Sequence, residues 1–584
     1  MPKNDGRLGT CRVVLIALAG LAGLAGPAGA ATPAFQEAPG RVVFAVDTAA
    51  ESQSIPTASA VLPDGGVVIG GSGTPGPLTS TGFPAAVSYV AQLASDGQLD
   101  PSFGRGGIAS IPGLAGPSRI IRQPDGRLLI AGSGPGSTSR LPLAVIARLD
   151  ADGSPDTSFG TGGVETLGIQ AGGVALLPSG DIVATGGAGT TGLVSAVSPT
   201  RPGDDRWDVV ELTPTGALDP AFGSGGVLTL PPAAGSGQTV GVAVDGDILT
   251  TGLDEVTPTE IVEQLTRLTP SGAVDPTFNS GQPVTVPGNE DGGLVAVDPD
   301  GSTLVEVANG TNRGIGGRGV VRYTEAGALD PTFGGSGMVS FPSGSPLVFT
   351  SSQILPVAGG GLLEIDTSRG VPGVQVKRLT ANGVVDPSLG GPNGIHVGLA
   401  FGGGDQLPLF DTVNPQSVGG LDDDSFSGSL LQRPDGSYVT VGEVSVVEQT
   451  GAGPGPTINR FAVEALTPAF QPDPSFGGPA TPLKVSLKLP TPSAATAIHR
   501  HNIRVTLTAS EPGDARIVVR AAGHIVAQSL LPVLAAGPGT LPVVLTRSGL
   551  NWLRGHPHSR LRLSTEARDL LTSTATATGS GSLR

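Results

Sequence analysis

Between residues 41 and 480 short apolar runs rich in Val, Leu and Ile alternate with turns carrying glycine, proline and aspartate, and no long stretch keeps a helical period. This is the pattern of β-strands joined by tight turns. One recurring turn sits between two apolar runs: "LPDGGVVIGG" from 62, "QPDGRLLIAG" from 123 and "RPDGSYVTVG" from 433, with the variants "LPSGDIVATGG" from 177, "AVDGDILTTG" from 243, "DPDGSTLVEV" from 298 and "VAGGGLLEID" from 357. Proline presets one dihedral of such a turn and glycine or aspartate accepts a left-handed one, so each phrase predicts a hairpin.

A second phrase follows each hairpin: "LDPSFGRGG" from 99, "PDTSFGTGG" from 155, "LDPAFGSGG" from 218, "VDPTFNSGQ" from 274, "LDPTFGGSG" from 329, "VDPSLGGPN" from 385 and "PDPSFGGPA" from 472. The aspartates, Asp100, Asp156, Asp219, Asp275, Asp330, Asp386 and Asp473, are 56, 63, 56, 55, 56 and 87 residues apart, a period too regular for chance and too long for one hairpin. Each period reads as strand a, the Pro-Asp-Gly turn, strand b, a variable loop, strand c, the Asp-Pro turn and strand d. Four antiparallel strands repeated seven times predict an all-β fold, a seven-bladed β-propeller over residues 41–480. "RVVFAV" at 41–46 stands ahead of the first strand a like a strand d without a repeat, and is expected to complete the seventh blade so that no sheet edge stays open.

Within the second phrase the aspartate is suited to accept nearby backbone N–H groups, and Phe103, Phe159, Phe222, Phe278, Phe333 and Phe476 are placed to bury between neighbouring repeats. Arg148, Arg267, Arg322 and Arg378 each precede an aspartate by eight residues and are expected to pair with it. A catalytic or metal-binding residue is needed once, whereas a turn is needed in every repeat, so these residues are read as structural and no metal site or cofactor is assigned. Leu389 and Asn279 stand where Phe and Gly are expected, which predicts poorer packing and turning there.

The run "PDGRLLIAGS", continued by "AVIARLDADGSPDTSFGTGGV", resembles the delta-60 repeat family of bacterial secreted β-propellers, and the resemblance extends over residues 41 to about 480. It implies the propeller fold and no established chemistry.

Beyond a Pro, Ala and Thr linker at 481–497, the segment 498–584 alternates apolar and polar residues in "NIRVTLTA", "ARIVVRAA", "TLPVVLT" and "RLRLSTEA", which predicts a small β-sandwich. It is similar to immunoglobulin-like or fibronectin-like modules, including the phrase "LTRSGLNWLRG". The pairs His499 with His501 and His556 with His558 are spaced to share one face of a strand, but no carboxylate or cysteine completes a ligand set, and a basic surface is the simpler reading.

Composition and charge change the picture in three ways. With 93 Gly and 53 Pro but 38% hydrophobic residues and 14% charged ones, the chain suits turn-rich β structure rather than disorder. From Lys484 onward 12 Lys and Arg face 4 Asp and Glu, a balance of +8, against −24 for the preceding residues, which separates two surfaces and argues against nucleic acid as a partner of the acidic part. Lys3, Arg7 and Arg12, the run "VVLIALAGLAGLAG" and "AGA" at 28–30 have the order of a secretory signal, with cleavage expected after Ala30; Cys11, the only cysteine, falls inside it. A secreted, monomeric protein without a transmembrane segment is expected.

No Gly-x-Ser-x-Gly elbow or His-Glu-x-x-His motif occurs, and "LDDDSFSG" at 421–428 lacks the register of a calcium loop. The expected function is a non-enzymatic binding scaffold for an extracellular glycan or protein; the rival is a polysaccharide hydrolase or lyase using carboxylates in the propeller depression. Both large departures from the period, "SPTRPGDDRWD" in the third repeat and "FGGGDQLPLFDTVNPQSVGGLDDDSF" between the sixth and seventh, fall on the face opposite the repeated turns. Arg206, Trp207, Phe401, Phe410 and Asp423 are therefore the candidate ligand-binding residues.

Overall fold

The computed structural model describes residues 40–46, 53–74, 87–111, 113–134, 143–170, 172–187, 207–230, 237–257, 260–287, 295–298, 300–309, 317–341, 349–357, 361–368, 374–389, 395–397, 429–450, 453–476, 483–490, 493–510, 513–533, 537–569 and 574–583. The protein is all-β. Four-stranded antiparallel sheets follow one another along the chain. Sheet I comprises Gln53–Val61, Val67–Thr74, Val87–Leu93 and Ile108–Ile111, and sheet II comprises Ala115–Arg122, Leu128–Ser133, Leu143–Leu149 and Val164–Gln170. Sheet III is built of Val174–Leu176, Ile182–Gly186, Trp207–Leu212 and Val227–Leu230; sheet IV of Gly237–Val242, Ile248–Thr257, Glu260–Leu268 and Val284–Val286. Sheet V takes Val295–Val297, Thr303–Asn309, Gly317–Tyr323 and Met338–Phe341, and sheet VI takes Phe349–Val357, Gly361–Ser368, Val374–Leu379 and Ile395–Val397.

Sheet VII is composite. Ser429–Gln432, Tyr438–Thr450 and Gly453–Leu466 supply three strands, and its fourth is Arg41–Phe44, paired antiparallel so that Arg41 faces Glu464 and Phe44 faces Phe461. Arg41 Nε donates to Glu464 Oε1 at 3.0 Å, and the Phe44 and Phe461 rings meet edge to face with centroids 5.6 Å apart.

The core lies between the sheets. Because side chains alternate across a strand, both faces of each sheet meet a neighbour, and the strands read as near-continuous apolar runs. Val68 and Val90 of sheet I pack with Ile130 and Val145 of sheet II, and equivalent clusters join each later sheet to the next. A further cluster joins Val42, Phe44, Val441 and Phe461 of sheet VII to Val67, Ile69 and Leu93 of sheet I. Side chains of this size are worth about 1.5–3 kcal/mol each when fully buried, so the layered contacts dominate stability.

Residues 485–582 form two further sheets. One orders Val485–Lys488, Asn502–Ala509 and Gly537–Val544; the other orders His524–Val533, Gly513–Ala521, Arg560–Asp569 and Thr574–Ser582. Ile503, Val505 and Val543 of the first share one core with Ile517, Val519 and Leu563 of the second.

Two helices sit among these strands, and they correct the expected placement of the histidine pairs. Ser493 caps Ala494–Arg500 by accepting the Thr496 N–H, so His499 is helical and His501 is the left-handed residue that ends the helix. The Ala-rich "AATA" allows that helix. His556 ends Arg547–Gly555 and stacks on Trp552 with centroids 4.3 Å apart. No strand face carries either pair. Among the described residues no helix is long and apolar enough to cross a membrane.

Candidate functional site

The Asp-Pro turns concentrate the polar chemistry. In every repeat the aspartate folds back on its own chain: its Oδ1 accepts the backbone N–H two residues on, from Ser102 at Asp100 (2.9 Å), Ser158 at Asp156 (3.0 Å), Ala221 at Asp219 (2.8 Å), Thr277 at Asp275 (2.9 Å), Thr332 at Asp330 (2.9 Å), Ser388 at Asp386 (2.9 Å) and Ser475 at Asp473 (2.9 Å). Each is an Asx turn, which satisfies an otherwise idle donor within the loop.

The second carboxylate oxygen meets the side chain eight residues earlier. Arg148 Nε donates to Asp156 and Arg322 Nε to Asp330, each at 2.7 Å, Arg267 Nε donates to Asp275, and Arg378 pairs with Asp386 at 3.8 Å. In the first repeat Gln92 takes the position and donates to Asp100 at 2.8 Å. The guanidinium then reaches the next sheet: Arg267 donates to the Glu325 carbonyl at 2.8 Å, Arg322 to the Ala381 carbonyl at 2.7 Å, and Arg148 to the Pro214 carbonyl. Each also lies over the phenylalanine of its own turn, with Arg148, Arg267 and Arg322 at 4.7, 5.3 and 5.0 Å from the centroids of Phe159, Phe278 and Phe333. In sheet VII the residue eight back is Ala465, and a cation comes from the a–b turn instead, Arg433 lying 4.9 Å from the Phe476 centroid. Burial opposes ionisation of Asp275, but the Thr277 N–H and hydroxyl and the Arg267 guanidinium outweigh it and hold the carboxyl below its ordinary range.

The phenylalanines lock neighbouring sheets through glycine. A Cβ added to Gly153, Gly216, Gly272, Gly327 or Gly383 would sit within about 3 Å of the ring of Phe103, Phe159, Phe222, Phe278 or Phe333 in the preceding sheet, and all five glycines have positive φ. The sixth interface reverses the roles. Leu389, 7% exposed, replaces the ring, and Phe470, at φ 57°, replaces the facing glycine and stacks on Tyr438 at 4.3 Å. The aromatic bulk has moved across the interface, so Leu389 lies in a filled core and the packing there is not impoverished. Asn279, the other departure, adopts φ 45° as a glycine would, and its side-chain amide donates to the carbonyls of Gln282 and Pro283 at 3.1 and 3.0 Å. Asparagine is among the residues that tolerate this conformation.

Sheet III differs from the others. Eight residues before Asp219 stands Glu211, an acid where sheets II, IV, V and VI carry arginine. Asp181, which ends the turn ahead of strand b, joins them, and the carboxylates of Asp181, Glu211 and Asp219 offer ligand oxygens that all lie within 4.8 Å of one another. Glu211 is 4% exposed and its Oε2 is buried without a hydrogen-bond partner. Burial, then the charges of Asp181 and Asp219, push its pKa up to about 7.

The structure places one of the five expected ligand-binding residues. Trp207 is not in a loop: it opens strand c of sheet III, is 2% exposed, and donates from its indole to Thr185 Oγ1 (3.2 Å) and Thr250 Oγ1 (3.3 Å). It packs against Gly252 of sheet IV, where a Cβ would come within 2.5 Å of the indole. Its role is intersheet packing. Arg206, Phe401, Phe410 and Asp423 lie outside the described residues, as do 198–206 and 401–426, the stretches that carry them.

Residues 123–159 match the family described as "Domain of unknown function (DUF5122) beta-propeller", and the fold is of the β-propeller kind. No curated protein matches. Among solved structures the chain is similar to a protein of unknown function from Dyadobacter fermentans (11% identity, TM-score 0.32, 74% of this chain and all of that one). It is also similar to a prolyl endopeptidase (14%, 0.36, 80% and 54%) and to PorZ, a surface component of the type-IX secretion system of Porphyromonas gingivalis (10%, 0.26, 91% and 70%).

Proposed function

We propose that the chain is a secreted, monomeric, non-enzymatic scaffold: a seven-bladed β-propeller of delta-60-like repeats over residues 41–480, followed by a small immunoglobulin-like β-sandwich, that binds an extracellular glycan or protein. The observation that carries this reading is the fate of the recurring polar groups. The carboxylates of the Asp-Pro turns accept from their own backbone, and those of sheets II, IV, V and VI are also matched by arginine, so these turns are spent on joining sheets. The packing of sheet VII on sheet I, with Arg41–Phe44 as its fourth strand, supports a ring of seven blades. Recognition then belongs to the opposite face, where the b–c and d–a connections emerge and where the two long insertions fall.

A glycan array probed with the secreted protein tests this, with hydrolysis products assayed on every hit. Binding without turnover, abolished when residues 402–425 are replaced by a short Gly-Ser linker, supports the scaffold. Turnover of any bound glycan would establish the hydrolase instead, and binding lost on mutating the Asp-Pro face would move the site. Intact-mass measurement of secreted material tests cleavage after Ala30.

A further inference from the structure

Sheet III breaks the repeat's charge rule in a way that calls for a ligand. In sheet IV the corresponding positions are Asp247, Arg267 and Asp275: two carboxylates flank one guanidinium, at 3.3 Å for Asp247, and the guanidinium also satisfies a carbonyl of the next sheet. Sheet III keeps both flanking acids as Asp181 and Asp219 but puts Glu211 in the centre. The register position that supplies the acceptor carbonyl in the neighbours, Pro214, Glu325 and Ala381, is occupied beside sheet III by Pro270. The acceptor oxygens are therefore kept and only the cation is exchanged, for a third carboxylate. The central carboxylate is more than nine-tenths buried, with one oxygen unpartnered. Burying an acid between two others is unfavourable unless a positive charge is supplied.

We propose that Asp181, Glu211 and Asp219 bind one hard divalent cation of the calcium class, standing where the neighbouring sheets place an arginine. Calcium takes oxygen ligands at about 2.3–2.6 Å in flexible geometry, so ligands across the ion are about 5 Å apart and adjacent ones closer, which the 4.8 Å span of the cluster fits. Backbone carbonyl and water complete the shell. The site is structural: the ion ties the a–b turn, strand c and the Asp-Pro turn of one sheet together, as Arg267 does in the next.

The test uses the full chain stripped with chelator. Thermal unfolding is followed at fixed ionic strength with calcium or magnesium chloride, and calcium is titrated by calorimetry. Calcium should raise the melting temperature by several degrees with one ion bound per chain, and magnesium should do so less at equal concentration. Glu211→Gln should weaken calcium binding at least tenfold. Glu211→Arg should abolish the calcium response while melting at or above calcium-free wild type, since the guanidinium takes the ion's place. If Glu211→Arg fails to fold, the calcium affinities of Glu211→Gln and Asp181→Asn decide. Absence of heat and of any melting shift at millimolar calcium, a response unchanged in the variants, or an equal response to magnesium would overturn the proposal.

Discussion

Sheets III and IV are built on one backbone plan and differ in the sign of one buried charge. In sheet IV Arg267 binds Asp247 and Asp275 and reaches Glu325 in sheet V; in sheet III Glu211 faces Asp181 and Asp219. The strands, the Asx turn and the intersheet phenylalanine are the same in both, Phe222 and Phe278 each being buried against the glycine of the following sheet. The fold of a repeat is therefore set by apolar periodicity and turn chemistry, while the position eight residues before the aspartate is an electrostatic slot filled by Gln92, by four arginines, by Glu211 or, from the a–b turn, by Arg433.

Four measurements bear on this comparison. The largest effect should come from removing residues 41–46, which denies sheet VII the outer strand that every other sheet owns; the bared edge of Gly453–Leu466 should lower the melting temperature sharply or cause aggregation, and an unchanged melting curve would mean that this sheet tolerates three strands. Next, Arg267→Ala should cost about 3–5 kcal/mol in equilibrium denaturation, because it strands two carboxylates beside a buried site. Had sheet IV no need of its cation, the loss would be under about 1 kcal/mol, as for an exposed pair.

Smaller effects probe the packing half of the comparison. Leu389→Phe should destabilise by about 1–3 kcal/mol by crowding Phe470, and adding Phe470→Gly should recover most of it, restoring the ring-and-glycine arrangement of the other interfaces. Additive losses in the double-mutant cycle would show the two positions to be independent. Last, burial and then Asp300 push the pKa of Asp298 up to about 6, against the pull of Arg322, so its ionised form is disfavoured in the folded protein. Below the ordinary carboxylate range both states are protonated and nothing is lost; the penalty develops as pH rises from the unfolded value near 4 to the folded value of about 6 and is complete above it. Asp298→Asn should thus gain stability relative to wild type as pH rises from about 4 to 6, reaching about 3 kcal/mol, and hold that gain above pH 6.

Much of this architecture was legible from local rules. The Pro-Asp-Gly and Asp-Pro turns carry their own dihedral requirements, and the four arginines announce their partners by constant spacing. Glu211 is visible in the same way, as the one acid in that column of the seven repeats; what the spacing alone does not give is Asp181, brought in from the a–b turn. The exchange between Leu389 and Phe470 was hidden because it joins two repeats 81 residues apart through a packing contact with no sequence grammar. Trp207 was misread because an insertion ends where strand c begins, and an indole beside charged residues resembles a loop residue until its hydrogen bonds to Thr185 and Thr250 are seen. The two-residue period of the histidine pairs fails because the first pair ends a short capped helix and the second follows one into a turn.

The pairing of Arg41–Phe44 with Gly453–Leu466 spans more than four hundred residues of chain, Arg41 meeting Glu464 across a separation of 423. Synthesis delivers this strand ahead of sheets I to VI, and its partner comes only after them. Loop closure over such a length is slow relative to hairpin formation, so the seam should be the final step of folding and the first to open under load. In that interval the free strand of one chain and the bare edge of another are complementary, and the same clasp that seals a single molecule could, at high concentration, be exchanged between two.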